Sequence, residues 1–354
     1  ADFLQGAAHL WGMYSLLRQF MFRLDAERAH HLTLNMASVW LRIPGMAWLW
    51  AQFWPKVLDP WEGLGLHWSN RVGLAAGFDK DARYLHVWKA MGFGSVEVGT
   101  LTPRPQPGNP KPRLFRLLQD QALINRLGFN NGGVAAAIPR LKHRPSDLVV
   151  GANIGKNKDT PNTEALGDYL KCFEELHPWV DYFTINLSSP NTPGLRELQE
   201  ANFIDSLLQH LHDLPCQQTR PRPICIKLAP DMEPSQWQSL WKVFRKHGVS
   251  GLVLTNTTVD RTGLKTSPGE LERLGNGGLS GAPLASKSAA LLEAMRQYGE
   301  QEGFLPVLVA VGGIMNGEDA MQRMHGGASW VQVYTGLVYR GPALVGEIAS
   351  AIRS

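Results

Sequence analysis

The sequence predicts an α/β chain folded as a (β/α)8 TIM barrel, preceded by an N-terminal helical extension that associates with a membrane. Three observations predict it. Eight short apolar runs recur after residue 63, helical patterns separate most of them, and nearly every run ends in a polar residue or glycine. A doubly wound open sheet is the rival fold, but it would not need eight strands and would carry a glycine-rich turn after the first.

Composition sets the outer bounds. The 354 residues hold one barrel of about 250 residues plus a small appendage. Lys plus Arg number 35 against 31 for Asp plus Glu, a net charge of +4. That mild excess suits anionic ligands or an anionic membrane surface and is too weak for nucleic acid. Cys172, Cys216 and Cys225 form an odd set without paired spacing, so no disulfide framework or zinc site is expected and a reducing compartment is. No charged segment leading into a cleavable apolar core is read near Ala1, so no signal peptide is expected.

Residues 1–55 form the extension. Leu10, Met13, Leu16, Leu17, Phe20, Met21 and Leu24 follow helical spacing, with Arg18 and Arg23 off that stripe. A second helix is expected to start at Asp25 as N-cap and to end before Pro44. The uncharged run from Ile43 to Trp54 is too short to span a bilayer, which takes roughly 20 residues, and reads as interfacial. Of the 12 Trp residues, Trp11, Trp40, Trp48, Trp50, Trp54, Trp61 and Trp68 precede the barrel, and this clustering beside arginine points to a membrane-lying segment.

The barrel is assigned to residues 63–354. Gly63 to Val72 reads as a small hairpin leading into the first strand; Trp68 stands where a dinucleotide fingerprint needs its third glycine. The strands are expected at Val72 to Ala76, Ser95 to Gly99, Val149 to Ile154, Tyr182 to Leu187, Ile224 to Leu228, Gly251 to Thr255, Val307 to Val311 and Trp330 to Tyr334. Helical patterns cover Thr163 to Leu176, Ile204 to His212, Pro234 to Lys246, Lys287 to Tyr298 and Glu318 to Met324. Two long insertions follow strands. The first is the Pro-rich loop Thr102 to Arg113, with a hairpin of Leu114 to Leu117 and Ala122 to Ile124 that delivers Asn125 to Phe129 over the barrel mouth. The second runs from Thr258 to Gly281.

The strand ends carry the chemistry. Gly77 with Lys80, Thr100, Asn153, Asn186, Lys227, Thr255 with Asn256, Gly312 with Gly313, and Tyr334 with Thr335 converge on one face of such a barrel. Asn186 to Arg196 forms a stiff loop with Pro190, Pro193 and many neutral hydrogen-bonding groups, suited to a planar, amide-rich ligand. Glycines after the last two strands lie where barrels often bind phosphate. No His or carboxylate pair and no metal ligand set converges there, and Asp79, the lone acid, reads as a turn cap. A phosphate grip, two lysines and no metal describe a cofactor that carries the chemistry itself, and flavin mononucleotide (FMN) fits. Lys227 is too costly to bury unpaired and is the candidate to stabilise charge on the reduced flavin, which leaves Lys80 for a substrate carboxylate.

Taken together, Ala75 to Lys80, Thr102 to Arg113, Asn125 to Phe129, Asn153 to Lys158, Asn186 to Arg196, Thr255 to Thr258, Gly277 to Gly281, Val311 to Gly313 and Tyr334 to Thr335 resemble the quinone-using, membrane-associated dihydroorotate dehydrogenases. The resemblance covers nearly the whole chain. It implies oxidation of (S)-dihydroorotate to orotate in pyrimidine (UMP) biosynthesis, with FMN contacts from Ala76, Gly77, Lys80, Thr100, Asn153, Asn186, Lys227, Thr255, Gly281, Gly313, Tyr334 and Thr335. Dihydroorotate would be held by Lys80, by Asn125, Arg126, Leu127, Gly128 and Phe129, and by Asn186, Asn191, Asn256 and Thr257. Ser189 matches the catalytic base that removes the ring C5 proton while hydride leaves C6; the soluble class has cysteine there.

The resemblance further implies that the helical extension admits ubiquinone or menaquinone past His30, Arg116 and Tyr334. It implies a monomer lying peripherally on the cytoplasmic side of a bacterial inner membrane, with the mitochondrial inner membrane as the alternative. Two other readings stay open at this point. One is a different FMN-dependent barrel oxidoreductase, such as a tRNA dihydrouridine synthase, which predicts a basic RNA-binding extension. The other is a membrane-bound scaffold that has lost its chemistry.

Overall fold

A computed structural model of the protein describes residues 14–353, apart from residues 55 and 193. Leu10, Trp11 and Met13 of the expected first helix lie outside the described residues. Helix α1 covers residues 14–21. Helix α2 (Ala26–Arg42) starts where expected, because the Asp25 carboxylate accepts from the free N–H groups of Glu27 and Arg28. Helix α3 (Met46–Phe53) follows the turn at Gly45.

The hairpin β1 (Trp61–Gly63) and β2 (Leu66–Trp68) closes the bottom of the barrel. Trp68 stacks between Trp61 at 5.3 Å and Trp330 at 4.8 Å and donates through Nε1 to the Gly63 carbonyl at 2.9 Å. The barrel then begins with β3 (Val72–Leu74) and β4 (Ser95–Leu101). It is interrupted by β5 (Leu114–Leu117) and β6 (Ala122–Asn125), then resumes with β7 (Val149–Ile154), β8 (Tyr182–Asn186), β9 (Ile224–Leu228) and β10 (Gly251–Leu254). Strand β11 (Gly278–Gly281) lies outside the barrel; β12 (Val307–Val311) and β13 (Trp330–Val333) complete it. Eight parallel strands close in the order β3-β4-β7-β8-β9-β10-β12-β13. This is the (β/α)8 fold, with closure through the ladder Val331↔Val72 to Val333↔Leu74.

The ladders stop early at Leu74, Asn186, Leu254 and Val333, where the chain turns polar residues into the barrel mouth, and β4 runs on to Leu101. The expected hairpin β5–β6 is present, but β11 joins its edge, pairing Gly278 with Asn125. Thus the second insertion holds the loop that the first one delivers.

The extension is fastened to the barrel rather than tethered beside it. Leu34 and Trp50 belong to the main hydrophobic core. Buried Arg113 of the Pro-rich loop donates to both Glu27 oxygens, at 2.7 and 3.1 Å, and to the carbonyls of Pro107 and Asn109. Burial by itself would raise the Glu27 pKa, but Arg113 outweighs it and holds the carboxyl below its ordinary value.

The placement of the tryptophans corrects their reading as a membrane-lying cluster. Trp61 and Trp68 plug the barrel, Trp50 is buried with its N–H on the Ala90 carbonyl at 3.1 Å, and Trp40 and Trp54 pack against it. Trp48 alone among these is strongly exposed, at 68%. The uncovered apolar face of the extension is mainly Leu16, Leu17, Phe20, Leu32, Met36, Val39 and Ile43. No described helix is long and apolar enough to cross a membrane.

Replacing Trp68 with Ala should cost about 3–5 kcal/mol of stability, since the void sits between fixed rings. Urea denaturation checks this, and ligand binding at the opposite, C-terminal end of the barrel should be retained by the folded fraction.

Candidate active site

The strand ends surround a cavity at the C-terminal mouth that opens in part to solvent. Ala76, Gly77, Lys80, Thr100, Asn186 and Lys227 line it from one arc of the barrel, and Thr255, Gly281, Gly313, Tyr334 and Thr335 from the other. The loop residues Asn125, Leu127, Gly128, Phe129, Ser189, Asn191, Asn256 and Thr257 line the same cavity. Asn153 does not: it is fully buried one layer behind, accepting from Thr100 Oγ1 at 2.5 Å and from Asn186 Nδ2 at 3.1 Å. The Arg126 side chain turns away, donating to the carbonyls of Leu274, Asn276 and Pro112 while its guanidinium covers the Phe115 ring. That loop therefore meets the cavity through its other residues, and Arg126 braces it from outside.

Gly281 and Gly313 adopt φ of 101° and 73°, and a Cβ there would lie 2.3 Å from the Gln121 carbonyl oxygen and 2.2 Å from Ala285 Cα. Only glycine fits at these two positions of the cavity wall, because each packs directly against neighbouring backbone. Among the described residues, no cluster of three or more His, Cys, Asp or Glu side chains could hold a metal ion.

The two lysines sit in different surroundings. Lys80 donates to Asn130 Oδ1 at 2.6 Å, and burial pulls its pKa down to about 8 against the opposing charge of Glu27. Lys227 is 5% exposed and has no hydrogen-bond partner among the described residues. Burial lowers its pKa too, and the charge of Glu97 opposes that shift. Glu97 corrects the reading of Asp79 as the lone acid. It lies in mid-strand, fully buried inside the barrel, and accepts from Asn153, Tyr182, Thr184 and Gln332. Asp79 does cap its turn, accepting from the N–H groups of Arg83 and Tyr84 and from Trp88 Nε1.

Ser189 is 6% exposed, and its Oγ accepts the Asn191 N–H at 3.3 Å. Its loop is held from three sides. Asn191 donates to Asn125 Oδ1 at 3.0 Å, Asn109 donates to the Asn191 carbonyl at 3.3 Å, and Arg196 donates to the carbonyls of Ser188 and Thr257, each at 3.2 Å. In the same loop the buried Thr192 hydroxyl has no partner among the described residues.

From this cavity a line of rings leads to the extension. Tyr334 meets Phe78 at 5.0 Å, and Phe78 meets His30 of α2 at 4.9 Å. Burial, with the charges of His31 and Lys80, pushes the His30 pKa down to about 3, so its ring is neutral. Arg116 stands apart from the cavity, donating to the Leu24 carbonyl at 2.8 Å with its guanidinium 4.5 Å from the Phe22 ring.

A family model described as dihydroorotate dehydrogenase matches residues 61–354. The chain belongs to the dihydroorotate dehydrogenase family. A dihydroorotate dehydrogenase (quinone) from an Acidovorax species is 46% identical over 353 residues, covering 96% of this chain and 98% of its own. One of the same name from Christiangramia forsetii is 44% identical over 342 residues, with coverage of 96% and 98%. A crystal structure of DHODH from Eimeria tenella in complex with ferulenol matches at TM-score 0.78 and 35% identity, covering 93% of this chain and 90% of that one. These relatives are similar along the extension as well as the barrel.

If Lys80 faces a substrate carboxylate, as the sequence leads one to expect, its protonation sets a pH limit. Its pKa of about 8 leaves it an ammonium below that pH and neutral above it. Affinity for the anionic probe orotate should therefore hold through neutral pH and weaken as pH rises past about 8. Equilibrium titrations across that range check this, and Lys80→Met should bind weakly with a flat profile.

Proposed function

We propose that this chain oxidises (S)-dihydroorotate to orotate with bound FMN and passes the electrons to a membrane quinone, within pyrimidine biosynthesis. One observation carries the reading: Ser189, Lys80, Lys227, Gly281 and Gly313 share a single cavity that a line of rings joins to an apolar helical extension. Flavin in this cavity supplies the acceptor for hydride from C6 of the substrate. The backbone at Gly313 and Thr335 suits its phosphate, and Lys227, Asn186 and Thr100 suit its ring system.

The protein's own part is binding, orientation and proton removal. Lys80 offers its ammonium to the substrate carboxylate; Asn125, Asn191, Asn256 and Thr257 offer the donors and acceptors that a cyclic amide needs. Ser189 takes the C5 proton. A hydroxyl is a weak base, so its buried loop must keep water out and give the proton an exit, and the unpartnered Thr192 hydroxyl lies three residues along. The exposed apolar face of α1 and α2 suits a peripheral seat on a membrane, on the cytoplasmic side of a bacterial inner membrane, where a quinone would approach past His30 and Tyr334. Arg116, at the edge of that entrance, would hold the turn between α1 and α2 in place.

Ser189→Ala should keep flavin bound but slow its reduction by dihydroorotate about 10²- to 10⁴-fold at neutral pH. Stopped-flow reduction at the wild-type rate would remove Ser189 from its role. The double substitution Leu32→Glu and Met36→Glu, one turn apart on the exposed face of α2, should leave flavin reduction intact. It should also cut vesicle partition and turnover with a long-chain quinone; unchanged partition would argue against the membrane seat.

A further inference from the structure

We infer that Glu97 is a positioning residue: as a buried pure acceptor it orients Asn153, and through that amide it helps to fix which way Asn186 and Asn256 present donors and acceptors to the flavin and substrate. The inference rests on the function proposed above and extends it to a residue that touches neither ligand. Four donors reach the Glu97 oxygens: Asn153 Nδ2 at 2.8 Å, Gln332 Nε2 at 2.9 Å, Thr184 Oγ1 at 3.0 Å and Tyr182 OH at 3.4 Å. Bulk water does not reach them, since Glu97 is 0% exposed. A carboxylate so surrounded can only accept.

The polarity then propagates. Because Asn153 must aim its NH2 at Glu97, its Oδ1 must face the other way, where it accepts from Thr100 at 2.5 Å and Asn186 at 3.1 Å. Asn186 therefore aims its own NH2 at those two residues, donating to Thr100 Oγ1 at 3.0 Å. Its Oδ1 is left to accept from the Ser188 N–H at 3.2 Å and from Asn256 Nδ2 at 3.3 Å. Asn256 in turn is oriented with Nδ2 on Ser188 Oγ at 2.9 Å and Oδ1 on the Thr257 N–H at 2.8 Å. The chain thus runs from the barrel interior to the residue before Ser189. An amide is nearly symmetric in shape, so sterics alone would not choose between its two orientations; Glu97 at one end of the chain and the Ser188 and Thr257 N–H groups at the other do.

Substitution separates this role from simple packing. Glu97→Gln keeps shape and volume but replaces one acceptor oxygen by a donor. The introduced amide can still serve Tyr182, Thr184 and Gln332 with its oxygen, and its NH2 then opposes the NH2 of Asn153. If Asn153 flips, its NH2 meets the NH2 of Asn186, whose Oδ1 the Ser188 N–H holds, so a buried donor is left unpaired beside the cavity. Adding Asn153→Asp moves the carboxylate one link along. The relocated carboxylate accepts from the introduced amide, from Thr100 and from Asn186, so everything beyond it keeps its native direction at unchanged total charge.

The test compares flavin-loaded wild type, E97Q and the E97Q/N153D swap, reading FMN retention on dilution and orotate affinity from the flavin absorbance change. We expect E97Q to weaken both by about tenfold or more and the swap to return both to within about threefold of wild type. If E97Q does not fold, the swap decides alone: a folded, flavin-holding swap supports the inference and an unfolded one overturns it. E97Q with native affinities, or a swap no better than E97Q, also overturns it. A wild type that holds flavin but ignores orotate would instead sink the proposed substrate, and FMN retention would still judge the role of Glu97.

Discussion

Closure of the parallel ladder between β13 and β3 is the constraint on which the rest of the molecule depends. A closed barrel has no sheet edge, and it gathers eight strand ends on one rim whatever their separation in the chain. That gathering puts Gly77, Asn186 and Thr335 around one cavity. The two ends are treated oppositely. Trp61, Trp68 and Trp330 fill the bottom with rings, while at the top the chain leaves the ladders early and turns polar groups inward. Stability is concentrated at one end, and chemistry at the other.

Between them lies the buried charge of Glu97. An isolated carboxylate in an apolar interior is costly, and four donors offset that cost. The same charge opposes the lowering that burial imposes on the Lys227 pKa. A second buried pair, Glu27 with Arg113, works at the rim. It ties α2 to the Pro-rich loop, whose Asn109 reaches both the Asn191 carbonyl and that of Arg126. The extension and the loop carrying Ser189 are thus parts of one hydrogen-bonded assembly.

The barrel was legible because its signals are local: apolar runs such as Val149 to Ile154 and capped helices such as Ala26–Arg42 need no distant partner to be recognised. The cavity residues were legible because a barrel obliges strand ends to converge. What escaped was non-local. Gly278–Gly281 reads as a glycine-rich loop, and only its pairing with β6 makes it a strand. Glu97 escaped because it sits in mid-strand, away from the converging ends; a single acid within the apolar run Ser95–Leu101 was the available signal. Arg126 sits between two cavity-facing neighbours, and nothing in its local sequence shows that Phe115 and three carbonyls draw it outward. The tryptophans misled because amphipathic rings serve equally at a membrane surface and in a barrel plug.

If this cavity couples dihydroorotate to a flavin and the flavin to a quinone, the coupling can be watched directly. The measurement is anaerobic addition of dihydroorotate to the purified protein, followed by a quinone, with the flavin absorbance recorded throughout. The predicted result is a yellow protein that bleaches with substrate and regains its colour with quinone. A colourless protein that takes up no flavin, or a flavin that dihydroorotate leaves oxidised, would contradict it.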